Sequence, residues 1–219
     1  NSKKETDETN PLTAYAKSKI GLENDVSKIN LRSMVFSSLR FATACGWSNR
    51  LRLDLVLNDF VASAVSSKKI TVLSDGSPWR PLIDVEDMSR SIYWAMTRDI
   101  ENGGQFLAVN VGSKKNNFQV KDLAFEVSKQ ISNTSVSINK QALPDNRSYA
   151  VDFTLFEKLA PNYQPKISIQ ETIKRLYKGL SSFDFDVLDF RNSSYMRLKV
   201  LRDHITHKRL RKDLRWTNT

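Results

Sequence analysis

Tyr15 and Lys19 are the pair best suited to acid–base chemistry. They stand four positions apart, so on a helix both side chains leave the same face about one turn from each other. An ammonium so placed favours phenolate over phenol, and such a tyrosine exchanges a proton with a substrate hydroxyl as a general acid or base. Spacing alone is weak evidence, because Tyr195 and Lys199 repeat it and a helical Tyr/Lys pair is more often a solvated face. The single cysteine, Cys45, has no partner for an internal disulfide, and His204 and His207 are the only histidines, which argues against a structural zinc site.

The elements that must position these residues follow from the apolar spacing. Asn10 as N-cap and Pro11 at the first helical position predict a helix from near Leu12 to about Asn30. Residues 34–41 read as a buried strand, ended by a loop at Gly46 and Asn49. Leu53, Val56, Leu57, Phe60, Val61 and Ala64 recur at three and four, one face of a helix. A strand at 70–73, the turn Asp75-Gly76-Ser77-Pro78 and an extended piece at 80–83 lead to a helix with Met88, Ile92 and Ala95 on its inner side. Residues 106–111 and 135–138 are strand-like and flank a helical stripe of Val120, Leu123, Ala124, Val127 and Ile131. Ser168 with Glu171 is a capping-box pattern opening a helix that buries Ile169, Ile173, Leu176 and Leu180, and a last helix turns Tyr195, Leu198, Leu201 and Ile205 inward. Strands alternating with amphipathic helices predict an α/β architecture with mainly parallel pairing.

With 40% apolar and 10% aromatic residues, the 219-residue chain has the composition of a folded globular protein. No stretch approaches the roughly 18 unbroken apolar residues that cross a bilayer, and no charged-then-apolar leader opens the chain. We therefore expect a soluble, cytoplasmic protein with no membrane partner. The net charge of +10 is lopsided: residues 195–219 hold eight Lys or Arg against Asp203 and Asp213, leaving 26 basic and 22 acidic residues for the rest. A solvated helix face is the favoured reading of that tail, ahead of a polyanion patch or a dimer or membrane-surface contact. Nucleic acid is not the expected partner, since no aromatic stacking platform accompanies the charge.

Context separates the two Tyr/Lys pairs. The first lies in Asn10-Pro11-Leu12-Thr13-Ala14-Tyr15-Ala16-Lys17-Ser18-Lys19, followed by Leu39-Arg40-Phe41 and then Gly46. This run resembles the extended short-chain dehydrogenase/reductase family, the NAD-dependent epimerases and dehydratases of nucleotide sugars. Other segments follow in the family's order: residues 52–61, Trp79-Arg80-Pro81-Leu82-Ile83-Asp84-Val85-Glu86-Asp87, Val109-Asn110-Val111-Gly112 and Asp145-Asn146-Arg147-Ser148-Tyr149. The likeness covers about residues 10–180. It implies the C-terminal part of a Rossmann-like parallel sheet plus a smaller α/β substrate-binding domain. Residues 1–50 would be the remnant of the dinucleotide-binding domain, 51–180 mainly the substrate-binding region with returning Rossmann elements, and 181–219 a basic helical tail.

The resemblance also implies roles. Tyr15 would be the acid/base, with Lys19 holding the nicotinamide ribose of NAD or NADP, and Thr43, Ala44 and Cys45 would form the wall near the nicotinamide. Asn58 would contact the nucleotide diphosphate, or else be a polar residue tolerated at the core edge. Arg80 and Arg147 would clamp the phosphates, since a guanidinium fork matches phosphate oxygens; the alternative is ordinary salt-bridge arginine. A homodimer through the helices at Tyr15 and at 53–65 is implied as well. The rival class is a non-catalytic nucleotide-sugar or polyanion binding protein that keeps the fold.

One requirement is unmet. A dinucleotide-binding half needs a glycine-rich turn whose backbone N–H groups meet the pyrophosphate, and the seven glycines form no such spacing. The family's catalytic serine or threonine, upstream of the tyrosine, is not in the chain either, so we expect a fragment that begins just before the catalytic helix. The chain by itself should bind neither NAD nor NADP tightly; calorimetric titration yielding a micromolar Kd for either would contradict this.

Overall fold

The computed structural model describes residues 2–142, 148–182, 185 and 189–217. Seven strands, β1 (Phe36–Phe41), β2 (Thr43–Cys45), β3 (Lys69–Val72), β4 (Trp79–Asp84), β5 (Phe106–Val111), β6 (Asn117–Gln119) and β7 (Ser135–Ile138), are named among these residues. The helices are α1 (Ala14–Ser27), α2 (Val56–Ser67), α3 (Val85–Thr97), α4 (Val120–Gln130), α5 (Thr154–Leu159), α6 (Ile169–Ser181) and α7 (Arg197–Thr206). β1 pairs with β5, β2 with β4 and β3 with β7, all parallel, while β6 runs antiparallel to β4. The architecture is the expected α/β one with a Rossmann-like parallel sheet. Neither α5 nor β6 was apparent from periodicity, because each is too short to complete a repeat.

Two apolar clusters hold these elements. One joins α2, α4 and α6 over β3 through Leu57, Val61, Leu123, Val127, Ile173 and Leu176. The other lies on β1 and β5 and includes Val109, Val111, Trp94 and Phe156, the last two edge to face at 5.4 Å. The α6 stripe Ile169, Ile173, Leu176 and Leu180 is buried as expected, and Ser168 caps the helix by accepting from the Glu171 N–H at 3.1 Å. Among the described residues no helix is long and apolar enough to cross a membrane.

Several local expectations change. Helix α1 is capped by Thr13, whose Oγ1 accepts from the Ala16 N–H at 3.1 Å, so Asn10 and Pro11 stay outside it. Helix α3 packs Met88 and Ala95 against the core as expected, but its rotation buries Asp87, Ser91 and Trp94 most deeply and leaves Ile92 outside. The cause is polar. The Asp87 carboxylate, almost wholly buried, accepts from the Lys166 and Ile167 N–H groups and from Arg90, which fixes the rotation of the helix against the 164–167 loop. Helix α7 buries none of its residues, with Leu198 and Leu201 exposed; Phe185, Phe190, Tyr195 and Met196 dock the tail instead. Of the two helices expected in a dimer bundle, α2 is enclosed by α4 and α6 and only α1 offers a free face.

Helix α1 has no buried residue, so a polar link carries its attachment. Glu23 accepts from Arg40 Nε at 3.0 Å, from Arg40 Nη2 at 2.5 Å and from Ser38 Oγ at 2.7 Å, joining α1 to β1. Burial pushes the Glu23 carboxyl up, but the Arg40 fork and the Ser38 hydroxyl outweigh it and hold the group below the ordinary carboxylate range.

Two outcomes follow. Leu176→Ala, which empties a fully buried position between α2 and α6, should cost about 2–5 kcal/mol in urea unfolding, whereas Leu201→Ala on α7 should stay within about 0.5 kcal/mol. Because Glu23 is depressed in the folded state, its stabilisation is complete above the unfolded carboxylate value and fades as pH falls through the folded one. Glu23→Gln should therefore cost roughly 1–2 kcal/mol at pH 7, with the gap to the parent closing as pH drops below about 4.

Candidate active site

A strand edge pairs with one neighbour at a time, and here the chain changes neighbour in the middle of an extended run. Phe41 is in register with Val111 of β5, and two residues later Thr43 is in register with Leu82 of β4. Ala42 marks the switch, its N–H still donating to the Val111 carbonyl at 2.8 Å. Beyond that point the two partner strands separate and a cleft opens outside the carboxyl ends of β1 and β5, where open parallel sheets bind ligands.

The cleft has two lobes that share Thr43 and Arg80. The first, of about 770 Å³, is bounded by Thr13 and Ala16 at the start of α1, by Arg40, and by Tyr149. Its outer wall is the polar segment before α1. Lys3 bridges to Val151, its N–H donating to the Ala150 carbonyl at 2.8 Å, and Glu5 Oε1 accepts from the Asn110 N–H at 2.9 Å. The second lobe, of about 730 Å³, lies between α2 and β3 and takes its charged wall from Asp54, Asp59 and Arg191.

The anticipated residues fall in different places. Tyr15 is 72% exposed and, with Lys19, stands beside the first lobe rather than among its lining residues. The Lys19 ammonium sits over the tyrosine ring, 5.4 Å from its centroid, so their contact is to the π face. Thr43 reaches both lobes. Cys45, only two residues on, points into the core at 1% exposure and donates from Sγ to the Ile83 carbonyl at 3.3 Å. Burial, with the nearby Asp84 carboxylate, pushes its thiol far above the usual range, so this sulfur is no nucleophile. Arg80 projects from β4 and donates from Nη1 to the Trp79 carbonyl at 2.8 Å. Arg147 lies outside the described residues, although Ser148 is tied to β4 by accepting the Trp79 N–H at 3.0 Å.

Asn58 is buried and its amide is engaged by backbone. Oδ1 accepts from the Gly46 N–H at 3.0 Å, and Nδ2 donates to the Arg52 carbonyl at 2.9 Å. It holds the 46–52 loop against α2 and lines neither lobe. That loop crosses Asp84 so closely that a Cβ at Gly46, whose φ is +109°, would meet Asp84 Oδ2 at 2.7 Å. Asp84 accepts from Thr172 Oγ1 at 2.7 Å and caps α3 through the Glu86 N–H at 3.0 Å; burial raises its carboxyl despite these bonds.

Sequence reasoning missed Asp59 and Arg191. Asp59 follows Asn58, and one step of a helix turns a side chain by about 100°, from the core to the cleft. Burial raises its carboxyl, opposed by the Arg191 guanidinium. Arg191 sits in the tail with no local motif to announce it. Among the described residues no group of three His, Cys, Asp or Glu converges as a metal site.

The model of the NAD dependent epimerase/dehydratase family matches residues 1–112. Among solved structures, an NAD-dependent NDP-hexosamine 5,6-dehydratase, TunA, superposes with a TM-score of 0.68 at 23% identity over 84% of this chain and 59% of its own. UDP-glucuronic acid 4-epimerase from Bacillus cereus, in complex with UDP-glucuronic acid and NAD, gives 0.67 at 20% identity over 83% of this chain and 57% of its own. UDP-glucose 4-epimerase from Bifidobacterium longum, in complex with NAD+ and UDP, gives 0.67 at 15% over 84% and 60%. The chain thus spans about three-fifths of the length of these structures, and at such identities the likeness is one of fold. With half its length under the family model, its parallel sheet opening at a change of strand partner and its Tyr-x-x-x-Lys helix beside that opening, the chain belongs to the NAD dependent epimerase/dehydratase family, among the extended short-chain dehydrogenases.

Proposed function

We propose that this chain carries the substrate-binding part and the acid–base pair of an NAD(P)-dependent epimerase or dehydratase acting on a nucleotide sugar. The observation that carries the reading is the two-lobed cleft, which joins the start of the Tyr15 helix, through Thr13 and Ala16, to the Arg80 guanidinium. A long ligand with a charged middle suits that shape, and similar folds hold UDP-glucuronic acid or UDP beside NAD. The diphosphate would lie against Arg80, with Arg147 as the second cation, and the sugar would fill the first lobe toward Tyr15.

Tyr15 would then take the proton of a sugar hydroxyl, while Lys19, held over its ring, steadies the negative charge that develops on the phenol oxygen. A nicotinamide dinucleotide supplies the hydride acceptor when bound. Thr43, at the junction of the lobes, and the exposed Lys19 fit its nicotinamide-ribose end. No glycine spacing in the 219 residues fits its pyrophosphate; on this reading that cradle would come from a further dinucleotide-binding layer, which would also cover the exposed Tyr15.

The test needs these residues joined to a dinucleotide-binding half with a glycine-rich turn. There, Tyr15→Phe should lower turnover of the nucleotide sugar by about 10²–10⁴-fold while leaving UDP affinity of the cleft within about twofold of the parent. Turnover that survives the change would end the acid–base assignment and leave only a binding protein.

A further inference from the structure

The second lobe has a wall residue outside the span of the family model. Arg191 comes from the segment that follows α6, well beyond residue 112, and yet faces the same space as Arg80. Its guanidinium is fixed from three sides. Nε and Nη2 donate to Asp59 Oδ1 and Oδ2 at 2.8 and 2.6 Å, and Nη2 donates again to Ser63 Oγ at 2.8 Å. The guanidinium carbon lies 4.8 Å from the centroid of the Phe190 ring, and Phe190 is itself anchored in the core.

Those bonds leave Nη1 and its two hydrogens unspent on a side chain that is 47% exposed. Because Asp59 cancels its charge, Arg191 adds little to the attraction of a phosphate. What it adds is an oriented N–H donor in a neutral pair, the kind of group that reads a carbonyl rather than an anion. Val56, Phe60, Leu73 and Val120 give the lobe apolar walls beside the polar Thr71, Ser74 and Asp54, a mixed surrounding that accommodates a flat heteroaromatic ring with polar edges. If, as proposed above, the diphosphate lies at Arg80 and the sugar in the first lobe, the base is the part of the ligand left for this one.

We propose that Arg191 reads the nucleobase: Nη1 donates to a ring carbonyl, O4 of uracil or thymine or O6 of guanine, and disfavours a base with an amino group at that position. Donor against donor leaves both N–H groups without a partner at that contact, which is where selectivity arises. The C-terminal segment is on this view a specificity element of the cleft.

Calorimetric titration of the full 219-residue chain with UDP, CDP, GDP and ADP tests this, since CDP and ADP replace the carbonyl of UDP and GDP by an amine. The better-bound of UDP and GDP should exceed its amino counterpart by about tenfold. In Arg191→Ala that ratio should fall to within about threefold, through weaker binding of the carbonyl base. Arg191→Lys keeps a cation on Asp59, and so the fold, but lacks the second arm of the fork; it should lose the ratio as well, with its melting temperature near that of the parent. A parent without base preference, or variants that retain it, would overturn the inference and leave the nucleotide-sugar reading standing. Failure of the parent to bind any of the four nucleotides would overturn both.

Discussion

Everything functional in this fold depends on one backbone event, the change of partner at Ala42. Each strand edge carries a single row of N–H and C=O groups, so a chain that leaves β5 for β4 must part the two and open a gap between them. Thr43, the first residue after the change, faces both halves of that gap, and Arg80 enters it from the strand that β2 joins. The site is thus a consequence of topology before it is a matter of particular side chains. The side chains then decide what can occupy it.

Buried polar groups hold the gap open. Asn58 clamps the loop after β2 to α2, Asp84 links the end of β4 to α6 through Thr172, and Asp87 grips the segment leading into α6 by two backbone N–H groups. Each would be costly if unsatisfied; Asn58 is satisfied within the adjoining loop, whereas Asp84 and Asp87 reach groups some eighty residues away. Such residues appear in the motifs for architectural reasons. Asn58 and Asp87 brace the walls, while Asp59 and Arg80, their neighbours in the same motifs, line the cleft.

The tail shows the same division between composition and placement. Its basic excess invites an electrostatic reading, yet the aromatic residues at its start do the docking: Phe185 lies 5.9 Å from Phe190 and 5.6 Å from Tyr195, ring centroid to centroid. That packing is what brings a lone arginine of the segment onto α2. The charges on α7 stay on the outside, consistent with a solvated face.

Periodicity was enough to locate most of the strands and helices, because an apolar residue every second or every three to four positions follows directly from how a backbone turns its side chains toward a core. The order of short motifs was enough to place the chain in its family. Neither could say which member of a motif faces ligand and which faces protein. Asn58 against Asp59, or Thr43 against Cys45, differ by a step or two along one element, and only the packed neighbours settle which way each points. The rotation of α3, the exposure of α7 and the arrival of Arg191 at the cleft likewise came from long-range contacts. A buried carboxylate or an aromatic anchor finds its partner across the fold, and no local pattern of residues encodes where that partner will be.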